Sequence, residues 1–87
     1  MNKEEQKYIA QYVGKQVRLI RTIEKGRSQE KFAEDVDLSM SQIVQMEGAG
    51  KVPRMDTLVK LRQHLNVSID QWIDEILAES DKSQADE

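Results

Sequence analysis

The chain has 87 residues, no cysteine and a net charge of −3, which allows one small domain and excludes both a disulfide framework and a thiolate metal site. The opening MNKEEQKYIAQ lacks the apolar run of a secretory leader, and no stretch approaches the roughly 18–20 apolar residues that span a bilayer. A soluble, cytoplasmic protein is expected, with no membrane association.

In chain order, Tyr8, Ile9, Tyr12, Val13, Val17, Ile20 and Ile23 recur at three- and four-residue spacing, which predicts a helix from about Glu4 to Glu24 ending near Gly26. Ser28 is the expected N-cap of a short second helix with Phe32, Ala33 and Val36 on one face. Asp37 and Leu38 form a tight turn. Ser39 and Gln42 then fit a capping box that opens a third short helix, with Ile43 and Met46 inward. A loop over 48–53 leads to a fourth helix marked by Met55, Leu58, Leu61 and Leu65. Ser68 and Gln71 repeat the cap signature before a fifth helix, on which Ile69, Trp72, Ile73, Ile76 and Leu77 make one apolar face. No alternating strand pattern occurs, so the fold class is all-α, a compact five-helix bundle with an extended first helix. Residues 1–12 extend helix one, 13–79 form the domain proper, and the polar "SDKSQADE" of 80–87 is expected to be a disordered tail.

The charge is unevenly spread. Residues 1–27 carry seven cations to three carboxylates, 28–47 one to five, 48–66 four to one, and 67–87 one to seven. Two basic blocks flank an acidic middle, so a basic surface can still form if the fold brings the flanks together. The middle block is two short helices joined by a turn of about three residues. Ala33 is small where the helices cross, and Val36, Leu38, Ile43 and Met46 are placed to share one core. A second helix held rigidly in this way can project into a major groove about 12 Å wide.

On these residues the chain resembles a known family. "VGKQVRLIR" (13–21), "SQEKFAEDV" (28–36), "LSMSQIVQME" (38–47), Pro53 and "DTLVKLRQHLNVSIDQW" (56–72) look like the Cro/C1-type helix-turn-helix domain of phage repressors and bacterial regulators, in the family's order and nearly its spacing. The resemblance implies that helices two and three are the helix-turn-helix and that Ser39–Glu47 is the reading segment. It implies base contacts from Met40, Ser41, Val44 and Gln45. It also implies backbone contacts from Gln29, Lys51 and Arg54, with Gln29 able to brace the reading helix; Ser28 and Gln42 are further candidates for backbone contact. Glu47 falls on an acidic position that is usually structural.

The residues agree physically with those roles. With Ile43 and Met46 inward, Met40, Ser41, Val44 and Gln45 share the outer face of helix three. Glutamine can bond bidentately to adenine, and Met and Val can pack on a thymine methyl, so A·T pairs are expected to be favoured. Lys15, Arg18, Lys31, Lys51 and Arg54 are the expected sources of positive charge for phosphates, since the reading segment itself has none. Departures from the family pattern are local. Gly26 comes one residue later than usual, Asp37 and Ala49 stand where glycine is common, and Arg54 stands where a serine-type cap is common. Gly48 and Gly50 are expected to take over from Ala49.

Other chemistry is absent. His64 is the only histidine, with no partner for a metal, and no serine has a base beside it, so neither cofactor nor enzymatic activity is expected. One helix-turn-helix reads few base pairs, which favours a homodimer on a palindromic operator. Trp72, Ile76 and Leu77 of helix five, with Tyr8 and Tyr12 of helix one, are the candidate dimer residues; Trp72 has the alternative of closing the monomer core with Ile69 and Ile73. Tyr8 and Tyr12 have the alternative of packing on helix five. The leading expectation is a sequence-specific transcriptional repressor that binds double-stranded DNA. The alternatives are a protein-interaction or antitoxin module with its own protein partner, and the DNA-binding part of a longer regulator.

Overall fold

Helix α1 (Lys3–Leu19) starts at a reciprocal capping box. Asn2 Oδ1 accepts from the Glu5 amide at 2.8 Å, and Glu5 Oε1 accepts from the Asn2 amide at 3.3 Å. The computed structural model describes the backbone of residues 2–85 and the side chains of 2–79. Within them the chain is predominantly helical, with α2 at Gln29–Asp35, α3 at Met40–Glu47, α4 at Met55–Leu65 and α5 at Ile69–Ala85. The five-helix expectation is met in number and order.

Past Leu19 the helix widens into a π turn over Ile20–Glu24, closed by Lys25 N–H donating to the Ile20 carbonyl at 3.0 Å. The extra residue per turn rotates the end of the helix. Ile23, expected inward from the spacing, is therefore 78% exposed. Gly26 then takes a left-handed conformation, φ +59°, and turns the chain toward α2. Ser28 and Ser39 cap α2 and α3 as the sequence implies. Ser28 Oγ accepts from Lys31 N–H, while Ser39 and Gln42 exchange both bonds of a capping box.

Helices α2 and α3 end alike. Leu38 N–H donates to Ala33 O and Asp37 N–H to Glu34 O; Gly50 N–H donates to Gln45 O and Ala49 N–H to Met46 O. Both pairs are the six-to-one and five-to-two bonds of a Schellman ending, which requires a left-handed residue. Asp37 (φ +57°) and Ala49 (φ +55°) occupy those positions. The flanking Gly48 and Gly50 do not take over from Ala49, because the hydrogen-bond register places Ala49 itself at the turn. Asp37 has help: Lys60 Nζ donates to its carbonyl at 2.9 Å and pairs with its carboxylate at 3.3 Å. Ala49 has no side-chain bond to offset its Cβ clash. Ala49→Gly is expected to stabilise the fold by about 0.5–1 kcal/mol, raising the melting temperature by a few degrees in a calorimetric scan.

The core joins Val13, Val17 and Ile20 of the first helix to Phe32, Ala33 and Val36, to Ile43 and Met46, and to Leu61 and Trp72. Met55, the first residue of α4, is exposed although it lies on the expected stripe; Thr57 is buried in the same turn instead. Trp72, expected at a subunit interface, is 8% exposed and belongs to this core. It meets Tyr12 edge-on, ring centroids 6.4 Å apart, and Tyr12 Oη donates to the Glu75 carboxylate. The extension of α1 is thus laid on α5, and Tyr12 is occupied within the chain. Tyr8 is half-buried on the same side, and its hydroxyl is pushed up by burial and by the nearby charges of Glu79 and Glu75. Ile76 is half-buried, whereas Ile73 and Leu77 face outward, Leu77 being 54% exposed. Helix α5 keeps a helical backbone to Ala85, past Ser80 where the composition places the start of a tail; Asp86 and Glu87 lie outside the described residues.

Candidate nucleic-acid interface

Helix α3 is short, so its aim depends on what holds its two ends. Its inner side is fixed by Ile43, which is fully buried, and by Met46. The outer side then carries Met40, Ser41, Val44 and Gln45, all four exposed and on one face, as the spacing implies. The first turn is fixed by the Ser39–Gln42 box. Gln42, expected on a phosphate, commits its Oε1 to that cap.

The last residue of α3 anchors the other end. The Glu47 side chain is only 1% exposed. Arg21 reaches it with a bidentate fork, Nε to Oε2 at 2.6 Å and Nη2 to Oε1 at 2.8 Å. Gln29 Nε2 donates to Oε1 at 3.4 Å, and Arg18 Nε lies 3.5 Å from the same oxygen. Burial pushes the Glu47 carboxyl up, but the Arg21 hydrogen bonds and charge, with the hydrogen bonds of Gln29 and Arg18, outweigh it and hold it below the usual carboxylate range. The Arg21 guanidinium is raised correspondingly by its bond to Glu47. Its remaining reach, Nη1 to the Arg27 carbonyl at 3.0 Å, ties the loop before α2 into the same knot. Four segments therefore meet at one carboxylate: the end of α1, its π turn, the start of α2 and the end of α3.

A close crossing completes the brace. Gly14 of α1 lies so near the end of α3 that a Cβ built there would stand 2.2 Å from the Met46 carbonyl oxygen. Only a residue without a side chain admits this approach.

The acidic middle is less of a burden than its composition suggests. Asp35 is held by Arg27 through bonds of 2.8 and 3.1 Å, and Asp37 by Lys60. Of the carboxylates from 28 to 47, Glu47, Asp35 and Asp37 are thus paired, leaving Glu30 and Glu34 on α2.

The expected phosphate-binding residues divide into two groups. Ser28 caps α2, Gln29 braces Glu47, and Arg18 is drawn toward the same carboxylate while its side chain stays largely exposed. Lys15, Lys31 and Lys51 form the second group with Arg54, which is exposed beside Asp56 at 3.6 Å. Arg54 opens α4 without a side-chain cap bond, as expected from its position. Sequence reasoning did not single out Arg21, Gly14, Arg27 or Lys60. Two signals were present: a lone glycine inside the apolar stripe of a long helix, and an arginine beside that stripe with an inward-facing acid elsewhere.

Among the described residues no group of acidic or histidine side chains is arranged to hold a metal ion, and no helix is long and apolar enough to cross a membrane. Against known proteins, no curated protein and no solved structure matches the chain. A family model described as helix-turn-helix matches residues 15–72, which takes in the Glu47 knot, the face of α3 and the core from Val17 to Trp72. With two capped helices packed on each other, the second of them anchored at both ends and bare on its outer face, the chain belongs to the Cro/C1-type helix-turn-helix family.

Proposed function

We propose that this protein is a sequence-specific DNA-binding transcriptional regulator, acting as a repressor, that places α3 in the major groove of a palindromic operator. The observation that carries this reading is the outer face of α3. Met40, Ser41, Val44 and Gln45 project together from a helix whose opposite side is fixed by Ile43, Met46 and the Glu47 knot. A rigid mount keeps the ordering cost of base contact low. Gln45 suits an adenine edge, and Met40 and Val44 suit thymine methyls. Electrostatic attraction comes from outside α3, through Lys15, Lys31, Lys51 and Arg54.

Dimerisation uses the surface that the chain leaves uncovered on α5. Trp72 and Tyr12 are spent inside the subunit, so Ile73, Ile76 and Leu77 are the residues for a two-fold contact.

Selection from a random duplex library, with sequencing of the bound pool, tests the whole reading. It should return a two-fold-symmetric site whose half-sites are rich in A·T pairs. On that site Gln45→Ala should weaken binding by about 1–3 kcal/mol, with little change on scrambled duplex. No enrichment at low salt, or an equal loss on every sequence, would remove α3 as the reading element. The exposed Met40 and Val44, on a helix without a cation, also suit a protein-docking surface. Stoichiometric capture of a protein partner with no retention of DNA would favour that second reading.

A further inference from the structure

Lys3, Lys7, Ala10 and Gly14 lie at successive helical spacings and so run in a line along one face of α1. Gly14 sits against Met46. Towards its N-terminus the same face diverges from the α3–α4 loop, and an open groove of about 720 Å³ lies between them. Lys3, Gln6 and Lys7 form one wall, and Ala49, Gly50 and Lys51 form the other. Three lysines line this groove and no acidic residue does, in a chain that carries 16 acidic residues to 13 basic ones. Glu5, in the same turn, is turned to its own cap at Asn2. None of the three lysines is in an ion pair among the described residues.

The wall formed by α1 is fixed in place. Its other side is laid on α5 through Tyr12, which meets both Trp72 and Glu75. The loop wall begins directly after the last turn of α3. The geometry points to a phosphate-binding groove in which Lys3 and Lys7, together with Lys51, hold the sugar–phosphate backbone of duplex DNA beside the site read by α3. This rests on the DNA-binding reading above and extends it, because Lys3 and Lys7 lie outside the 15–72 family match. It also answers the charge deficit of α3. The helix that reads carries no cation, and the long N-terminal part of α1 supplies two.

The test measures binding of the full chain to a selected duplex and a scrambled one at several salt concentrations. Lys3→Gln/Lys7→Gln keeps good helix formers at exposed positions and should fold normally by circular dichroism. It should lose about tenfold in affinity on both duplexes, and its log affinity against log salt should flatten by about one to two units. Preference for the selected site should remain. Gln45→Ala should do the opposite, narrowing the preference with the salt slope kept. Wild-type affinity and slope in the double lysine variant would overturn the groove and leave the α3 reading standing. Loss of sequence preference with the lysine effect intact would overturn the reading of bases and leave the groove. Inorganic phosphate titrated against the free protein separates the two sources of anion. Saturating shifts of the Gly50 and Lys51 amide resonances at submillimolar phosphate, with no lysine effect on duplex, would assign the groove to a free anion and overturn the DNA contact.

Discussion

Arg21→Met is expected to cost about 3 kcal/mol of stability at neutral pH and to weaken binding to every duplex. The Glu47 side chain is buried, 1% exposed, and that of Arg21 is 15% exposed. Removing one member of a buried pair leaves the other charge without compensation, which generally costs about 3–5 kcal/mol. The lower end applies because Gln29 at 3.4 Å and Arg18 at 3.5 Å still touch the carboxylate. Methionine keeps the apolar volume of the arginine stem, so the loss reports the charge and its hydrogen bonds. Chemical denaturation of the two proteins at pH 7 measures it. A loss below about 1 kcal/mol would mean that the knot carries little, as exposed ion pairs do.

The pH dependence separates this mechanism from simple packing damage. In the wild type the Glu47 carboxyl is held below its ordinary value. Its stabilising contribution is therefore complete above the ordinary carboxylate range, and is lost as pH falls below about 4.3 and through the folded value. In Arg21→Met the lowering contributions of Arg21 are removed, while burial, the largest single influence on Glu47, still pushes the carboxyl up. The folded carboxyl therefore titrates higher than in the wild type, so protonation relieves the variant first and the stability gap between variant and wild type narrows as pH falls into the carboxylate range. Adding Glu47→Met to Arg21→Met removes both charges. That double variant should regain most of the lost stability, since buried pairs replaced by apolar groups of similar size are often near neutral.

The contrast between what the sequence shows and what it hides comes from the range of each interaction. The helix starts were legible because capping acts over three residues: Ser28 with Lys31 and Ser39 with Gln42 are visible as spacing. The outer face of α3 was legible for a similar reason, since its positions are set by Ile43 and Met46 through the helical period. The mount of that face was not. Arg21 and Glu47 are 26 positions apart, and nothing local says which of two neighbouring arginines takes the fork and which stays largely in solvent. Register errors have an equally definite origin. A period of 3.6 places Ile23 inward, and a single π turn suffices to rotate it out. Trp72 sits on an apolar face too broad for one neighbour. Its place in the core cluster, with Tyr12 edge-on against it, makes tryptophan rather than Leu77 the residue the subunit keeps for itself.

Gly14→Ala pits two local rules against each other, and the structure determines which wins. Glycine inside a helix is about 1 kcal/mol less favourable than alanine, so propensity alone makes the substitution stabilising. The added methyl, however, would stand 2.2 Å from the Met46 carbonyl oxygen and 3.3 Å from its carbon. The obstacle is backbone at the end of α3, not a side chain that can swing aside, and the ordinary contact distance between such atoms is about 3.5 Å or more. Relief requires α1 and α3 to separate by roughly 1 Å, and overpacking of this kind typically costs about 1–3 kcal/mol or more. The separation would also stretch the Glu47 knot, since Glu47 is the next residue after Met46 and its Cα lies 3.6 Å from the same built Cβ. The net expectation is a destabilisation of about 2–3 kcal/mol, a fall in melting temperature of roughly 10–20 °C for a domain of this size. Gly50→Ala provides the control within the same chain, because a Cβ there meets nothing within 4 Å. If Gly14→Ala melts at or above the wild type, α1 and α3 do not approach as closely as described, and the rigid mount of α3 loses its main steric support. A lowered melting temperature with a tenfold or greater loss of DNA affinity well below the transition would show that the same crossing sets both the stability of the fold and the aim of the reading helix.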